Sequence, residues 1–159
     1  MNPFEESFLN SIVSGAKRAQ IIFHVPASVS IAQAITESSW GRSGLSVKAN
    51  NLFGIKADTS WLGDKVMMPT AEYTHGMRIT IDAPFRKYSS HEESIVDHGS
   101  FLAKNPRYKP AFSKQDGCSF ARAIAQAGYA TDPHYAVNLV TLIEQYDLKQ
   151  YDIKMEQVA

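Results

Sequence analysis

Glu37 is the residue whose placement in this sequence most invites chemistry. It falls near the C-terminal end of an apolar helical segment, where the helix dipole is negative and an ionised carboxylate is disfavoured. Trp40 and the apolar stripe beside it would add desolvation, which also raises a carboxyl pKa. A carboxyl kept protonated near neutral pH is what general-acid catalysis requires. The competing reading is a solvated glutamate on an amphipathic helix, and one misplaced acid does not decide between the two.

The other reactive side chains give weaker signals. Glu72 sits on a predicted strand, where cross-strand pairing with Arg78 or a lysine accounts for it. Glu92 and Glu93 follow Ser89 and Ser90 at capping-box spacing, and Asp132 precedes Pro133 as an N-cap precedes a first-turn proline. His24, His75, His91, His98 and His134 show neither an H-E-x-x-H motif nor an i,i+4 pair, so no metal site is expected. Cys118 stands alone, which excludes an internal disulfide, and reads as a small buried hydrophobe. No Gly-rich phosphate loop is present, and no cofactor is expected.

Placing Glu37 requires a helical frame. Phe4, Phe8, Ile12, Ala16 and Ala19, widened by Leu9, Val13 and Ile22, predict a helix over residues 2–23. A second helix is expected from Ala27 to Ser39, with Gly41 as its left-handed terminator. Residues 43–58 lack a clean period and read as ordered loop. Residues 65–73 and 77–81 then alternate around Thr74-His75-Gly76, predicting a hairpin closed by Asp82-Ala83-Pro84, with Pro69 at an edge or bulge. Further helices are expected through Ile95 to Leu102, over 118–127, and over 133–146 with Val137, Val140, Leu142 and Ile143 inward. The fold class expected is α+β, mostly α.

Composition bounds the rest. A chain of 159 residues, 44% hydrophobic and 20% charged, has the make-up of one globular domain rather than a disordered or collagen-like chain. Sixteen basic and sixteen acidic residues give no net charge, so no overall field draws it to nucleic acid or an anionic membrane. The N-terminal residues MNPFEESF carry acids where a signal peptide carries Lys or Arg, and no leader is expected.

One ordered set of motifs changes the weight on Glu37. The run from Ala32-Gln33 through Glu37-Ser38-Ser39-Trp40-Gly41, then Asn50-Asn51-Leu52-Phe53-Gly54, resembles the glycoside hydrolase family 73, the endo-β-N-acetylglucosaminidase-like domain. Trp61-x-Gly63, Thr70-x-Glu72-Tyr73, Phe85-Arg86-x-Tyr88, Glu93-Ser94-x-x-Asp97 and Gly128-Tyr129-Ala130-Thr131-Asp132-Pro133-x-Tyr135 continue the resemblance over about 31–148.

The resemblance implies a lysozyme-like helical lobe and a small β-hairpin lobe, about 60–84, enclosing a glycan-binding cleft within a single domain, 1–159. It implies cleavage of the β-1,4 linkage between N-acetylglucosamine and N-acetylmuramic acid in peptidoglycan. Glu37 matches the catalytic acid, Glu72 the second carboxylate and Tyr129 the cleft tyrosine. Tyr129 reads equally as a core plug, and Trp40 and Phe53 as core residues. Phe53, Trp61, Tyr73 and Tyr135 are candidates to stack on sugar faces, and Asn51 either bonds a sugar rim or forms an Asx turn. The alternatives are a muramidase or lytic transglycosylase, and a non-catalytic peptidoglycan-binding module. Expected partners are peptidoglycan glycan strands and a cognate immunity (inhibitor) protein occluding the cleft, with no nucleic acid or membrane and a monomeric state. The expected place of action is the periplasm or cell wall, reached by a dedicated secretion system, of the type VI kind, or by phage release.

Overall fold

The computed structural model describes residues 1–154; positions 155–159 of the expected domain lie outside the described residues. Helix α1 (Pro3–Phe23) starts at a full capping box: Asn2 Oδ1 accepts from Glu5 N at 2.9 Å and Glu5 Oε2 accepts from Asn2 N at 3.1 Å. Phe8, Leu9, Ile12, Ala16 and Ala19 are buried as their spacing predicts. Phe4 and Ile22 remain exposed, because they fall at helix ends that reach past the core.

Helix α2 (Ala27–Ser38) runs through the centre, with every residue from Ala27 to Ile35 buried. A helix buried all round has no solvated face and must find partners for its polar groups inside the protein. Its start is capped by side chains outside the helix: Ser28 N and Oγ donate to the distant Asp152 at 2.7 and 2.8 Å, and Ala27 N donates to Gln20 Oε1 of α1 at 3.1 Å. The element that carries Glu37 is thus fixed at its far end by the C-terminal segment.

Residues 43–58 are not all loop. Ser43 accepts from Ser46 N and starts the short helix α3 (Gly44–Ala49), too brief for a period to show in the sequence. Helix α4 (His91–Lys104) packs on α1 and is capped by Ser90, while the Glu93 carboxylate accepts from Ser89 N. A 3-10 segment (Pro106–Ser113) leads to α5 (Gly117–Gln126) and then α6 (Tyr135–Gln145). Helix α6 begins two residues later than Asp132-Pro133 suggested, since Asp132 Oδ1 accepts from His134 N and makes a turn before the helix. Val137 points outward; Leu139 takes the inward position.

Strands β1 (Lys65–Thr74) and β2 (Met77–Arg86) pair antiparallel from Lys65 with Arg86 to Thr74 with Met77, around His75 and Gly76 at φ 54° and 77°. The hairpin does not close at 82–84. In a two-stranded sheet both strands have a free edge, so Pro84 sits opposite Met67 and β2 continues to Arg86. Val66, Met68, Thr70 and Glu72 share the half-buried face, and Tyr73 falls on the exposed one. Arg86 Nη1 and the Tyr88 hydroxyl both bind Asp97 Oδ2, at 2.8 and 2.5 Å, tying the base of the hairpin to α4. The outcome is the expected α+β, mostly helical fold. No helix among the described residues is long and apolar enough to cross a membrane.

Candidate active site

Glu37 occupies the last turn of α2, where the unpaired carbonyls of the helix end make a carboxylate unfavourable. The helix stops because Ser39, Trp40 and Gly41 all take left-handed backbone, φ 52°, 59° and 78°. Gly41 is obligatory for a second reason: a Cβ there would lie 2.7 Å from the Phe8 ring. Trp40 turns away from Glu37 and packs edge-on against Phe8 and Tyr146. The desolvation of Glu37 therefore comes from other groups.

Two tyrosines hold the carboxylate as hydrogen-bond donors. The Tyr129 hydroxyl donates across the carboxylate, 3.0 Å to Oε1 and 3.2 Å to Oε2, and Tyr135 donates to Oε2 at 3.0 Å. Tyr129 is aimed by the end of α5. Gly128 takes φ 90°, its N–H bonds Ala125 O, and Tyr129 N bonds Ile124 O, a Schellman motif that turns the chain back toward α2. The two rings lie near-parallel, 5.4 Å apart. Behind them stand a buried histidine and a buried amide: His98 Nε2 is 2.9 Å from the Tyr129 hydroxyl, and Gln33 Nε2 donates to the Tyr135 hydroxyl at 2.9 Å. Burial raises the Glu37 pKa from 4.5 to about 7, against the lowering effect of both phenol hydrogen bonds. The phenols are themselves pushed up by burial and the nearby carboxylate, so they stay protonated donors.

A cavity of about 420 Å³ opens on this cluster, walled by Phe53, Ile55, Phe101 and Tyr108 and edged by Lys56, Asp58 and Arg86. An apolar cavity with a few convergent polar groups is the usual form of a ligand site. A larger hollow of about 590 Å³ lies on the outer face of α1 between Lys17 and Tyr151, and no carboxylate lines it.

The expected site residues separate in the folded chain. Glu37, Phe53 and Tyr129 meet at the cavity; Phe53 is stacked on His98 with centroids 3.8 Å apart. Tyr135 is a buried partner of Glu37 rather than a face for a sugar. Asn51 is a structural clamp: it is 1% exposed, its amide donates to Ile55 O and Arg86 O, and its oxygen accepts from Ile55 N. Trp61 stands behind the hairpin, edge-on to Tyr88 and under the Arg86 guanidinium, and lines a separate hollow with Asp97. Tyr73 is on the opposite strand face from Glu72 because neighbouring strand residues alternate. Glu72 is half-buried and pairs with Lys56 from the loop, 2.8 Å, while its cross-strand neighbour is Ile79 rather than Arg78.

Gln33, Lys56, His98 and Tyr108 complete the site without having been singled out for it. Gln33 lies one turn before Glu37, and His98 falls in the buried stripe of α4 with Ser94, Ile95 and Leu102. A polar residue inside an apolar stripe was the signal available for both.

Residues 13–148 match the family described as Glucosaminidase: Mannosyl-glycoprotein endo-beta-N-acetylglucosaminidase. The chain is 41% identical over 153 residues to the exo-glucosaminidase LytG of Bacillus subtilis, covering 93% of this chain and 54% of that protein. It is 44% identical over 135 residues to the peptidoglycan hydrolase FlgJ of Vibrio parahaemolyticus, covering 82% of this chain and 44% of that one. The chain thus spans about half the length of the curated relatives it matches. The catalytic domain of the autolysin Auto from Listeria monocytogenes superposes with a TM-score of 0.86 at 39% identity, over 96% of this chain and 89% of that domain. A family match across most of the chain, with Glu37 and Tyr129 hydrogen-bonded at the cavity, places the protein in the endo-β-N-acetylglucosaminidase family of glycoside hydrolases.

Proposed function

We propose that the protein hydrolyses the β-1,4 linkage between N-acetylglucosamine and N-acetylmuramic acid in peptidoglycan, with Glu37 as general acid. The observation that carries this is a helix-end carboxyl opening on an apolar cavity, held by two phenols, with its pKa raised to about 7. Breaking a glycosidic bond requires a proton on the leaving oxygen and an anion or activated water for the positive charge developing at the anomeric carbon. Glu37 serves the first need. Glu72, on the hairpin and paired with Lys56 of the cavity wall, is the proposed source of the second. The role as a secreted antibacterial effector or lysin, acting in the periplasm or cell wall, belongs to the same proposal. So does a protein inhibitor that fills the cavity over Glu37.

The test is Glu37→Gln on purified peptidoglycan, read by dye release and by mass spectrometry of borohydride-reduced muropeptides. The expected result is a loss of at least about 10²-fold in turnover with folding intact, the usual size of a general-acid contribution. New reducing ends on N-acetylglucosamine support the assigned bond. Reducing ends on N-acetylmuramic acid, or 1,6-anhydro ends, would replace it by a muramidase or transglycosylase reaction. Unchanged turnover removes Glu37 from the mechanism.

A further inference from the structure

We infer that His98 and Gln33 are positioning residues for Glu37: each donates to one phenol oxygen and so commits that phenol's only proton to the carboxylate. The inference rests on the proposed role of Glu37 as the acid.

A phenol has one proton and lone pairs to receive others. Tyr135 Oη lies 3.0 Å from Glu37 Oε2 and 2.9 Å from Gln33 Nε2. An amide nitrogen has only protons to offer, so Tyr135 accepts there and donates to Glu37. The reversed amide would turn the Tyr135 proton toward Gln33 and leave a buried NH₂ without an acceptor, which costs more than a bare carbonyl oxygen.

The same reasoning fixes the histidine. His98 is fully buried, with no compensating charge, and burial pushes its pKa down to about 3, so the ring is neutral and has one N–H. Its Nε2 meets the Tyr129 hydroxyl at 2.9 Å, and its Nδ1 has no partner among the described residues. A buried N–H without an acceptor is rarer than a buried bare lone pair, so the proton belongs on Nε2. Tyr129 then accepts from His98 and donates to Glu37. The arrangement leaves two buried acceptors unsatisfied, His98 Nδ1 and Gln33 Oε1, each on the side away from a phenol. Both donors are directed at the site. Phe53 stacked on the imidazole and the backbone of α2 one turn from Glu37 hold the two donors in place.

The consequence is an asymmetric carboxyl. Both phenols reach Oε2, at 3.2 and 3.0 Å, while Tyr129 alone reaches Oε1, at 3.0 Å. In the acid form Oε2 accepts both phenol protons and Oε1 bears the transferable one. When that proton leaves, Tyr129 already spans both oxygens, and the new carboxylate is received without reorganisation. The other ionisable groups at the cavity are Tyr108 from the 3-10 segment, and Lys56, Asp58 and Arg86 at its edge. Among the described residues none of these hydrogen-bonds to Glu37; Lys56 pairs with Glu72, and Arg86 with Asp97 and Asp58.

The test has three arms. In the unaltered protein, imidazole ¹⁵N spectra should show His98 as the Nε2–H tautomer; the Nδ1–H tautomer overturns the inference. In Gln33→Met and His98→Leu, ¹³C titration of the Glu37 carboxyl, assigned by its loss in Glu37→Gln, should move up by roughly half a unit or more, because each phenol loses the donor that polarises and holds it and supports the carboxylate less well. The basic limb of kcat/KM should move with it, with kcat lowered and KM within about two-fold. His98→Gln, which keeps a donor near the Nε2 position, should restore the titration. A titration unmoved in folded Gln33→Met and His98→Leu overturns the inference even if Glu37→Gln is inactive. Full activity in Glu37→Gln removes the acid role alone, because the titration and the tautomer are read without substrate.

Discussion

Glu72 does not line the cavity that holds Glu37; its carboxylate reaches that cavity only through Lys56, whose Nζ is 2.8 Å from Glu72 Oε1 and which does line it. The side chains are 53% and 37% exposed, so the ion pair contributes at most about 1 kcal/mol to stability. Loss of the carboxylate should therefore separate chemistry from folding. Glu72→Gln is expected to lower kcat on peptidoglycan by about 10²-fold or more while shifting the unfolding free energy by less than about 1 kcal/mol. Full activity in this variant would leave Glu72 as a brace between hairpin and loop, with the anomeric centre served by water or by the substrate's acetamido group.

The raised pKa of Glu37 makes two pH predictions of known sign. An acid must be protonated to act, so kcat/KM should fall as pH rises through about 7. The same shift links to stability. The folded state holds this proton more tightly than the unfolded chain, so the contribution is complete below about pH 4.5 and lost as pH rises through about 7. Glu37→Gln, which cannot ionise, should be more stable than the unaltered protein by about 3 kcal/mol at pH 8, at 1.36 kcal/mol per pKa unit. The difference should close below pH 4.5. Denaturant unfolding at the two pH values checks it, and a constant difference would mean that Glu37 is not desolvated in solution.

One carboxylate ties the base of the hairpin to α4. Asp97 receives Arg86 and Tyr88 together, with Arg86 and Asp97 side chains only 16% and 21% exposed. Asp97→Ala takes one acceptor from a mostly buried guanidinium, which keeps Lys56 O and Asp58, and the acceptor from the Tyr88 phenol, and is expected to cost about 3 kcal/mol. Arg86→Lys should not be a neutral exchange, because Arg86 uses Nε on Lys56 O and Nη1 on Asp97 at the same time. Thermal unfolding and hydrogen exchange of β1 and β2 read both variants.

What the sequence made legible follows the range of the interaction involved. Helices α1 and α2, the hairpin turn and the Ser90 cap are written in periods and local hydrogen bonds and stand where those signals put them, while β2 runs on past the expected close at 82–84 to Arg86. The pKa rise of Glu37 was legible in direction, from the apolar stripe that buries it. The groups that hold the carboxyl were not: Trp40 is adjacent in sequence but packs on Phe8 and Tyr146, whereas Tyr129 and Tyr135 donate to Glu37 from about a hundred residues away and lower its pKa against burial. Aromatic residues suited to stacking on sugars could not be sorted by type, since Trp61 braces Arg86 and Tyr135 bonds Glu37. Asn51 shows the same limit, its amide saturated by backbone groups that the hairpin brings to it.

Two glycines flank the Glu37–Tyr129 cluster and should fail differently. Gly41 and Gly128 both take positive φ, 78° and 90°, so alanine at either is strained by about 1 kcal/mol. At Gly41 the added Cβ also meets the Phe8 ring at 2.7 and 2.8 Å, and a core aromatic has little room to yield. At Gly128 the nearest atom is the end of the Arg107 side chain at 3.8 Å, so space is open. Gly41→Ala should therefore lose about 2–4 kcal/mol, and Gly128→Ala about 1–2 kcal/mol. Activity should rank the other way per unit of stability lost. Gly128 sets the turn that aims Tyr129 at Glu37, and relaxing its φ moves the phenol, while the Gly41 clash is taken up on the Phe8 side of the turn, away from the carboxylate. Turnover measured well below each variant's unfolding temperature distinguishes the two. Equal residual activity at equal stability would show that the Schellman turn does not control the Tyr129 contact.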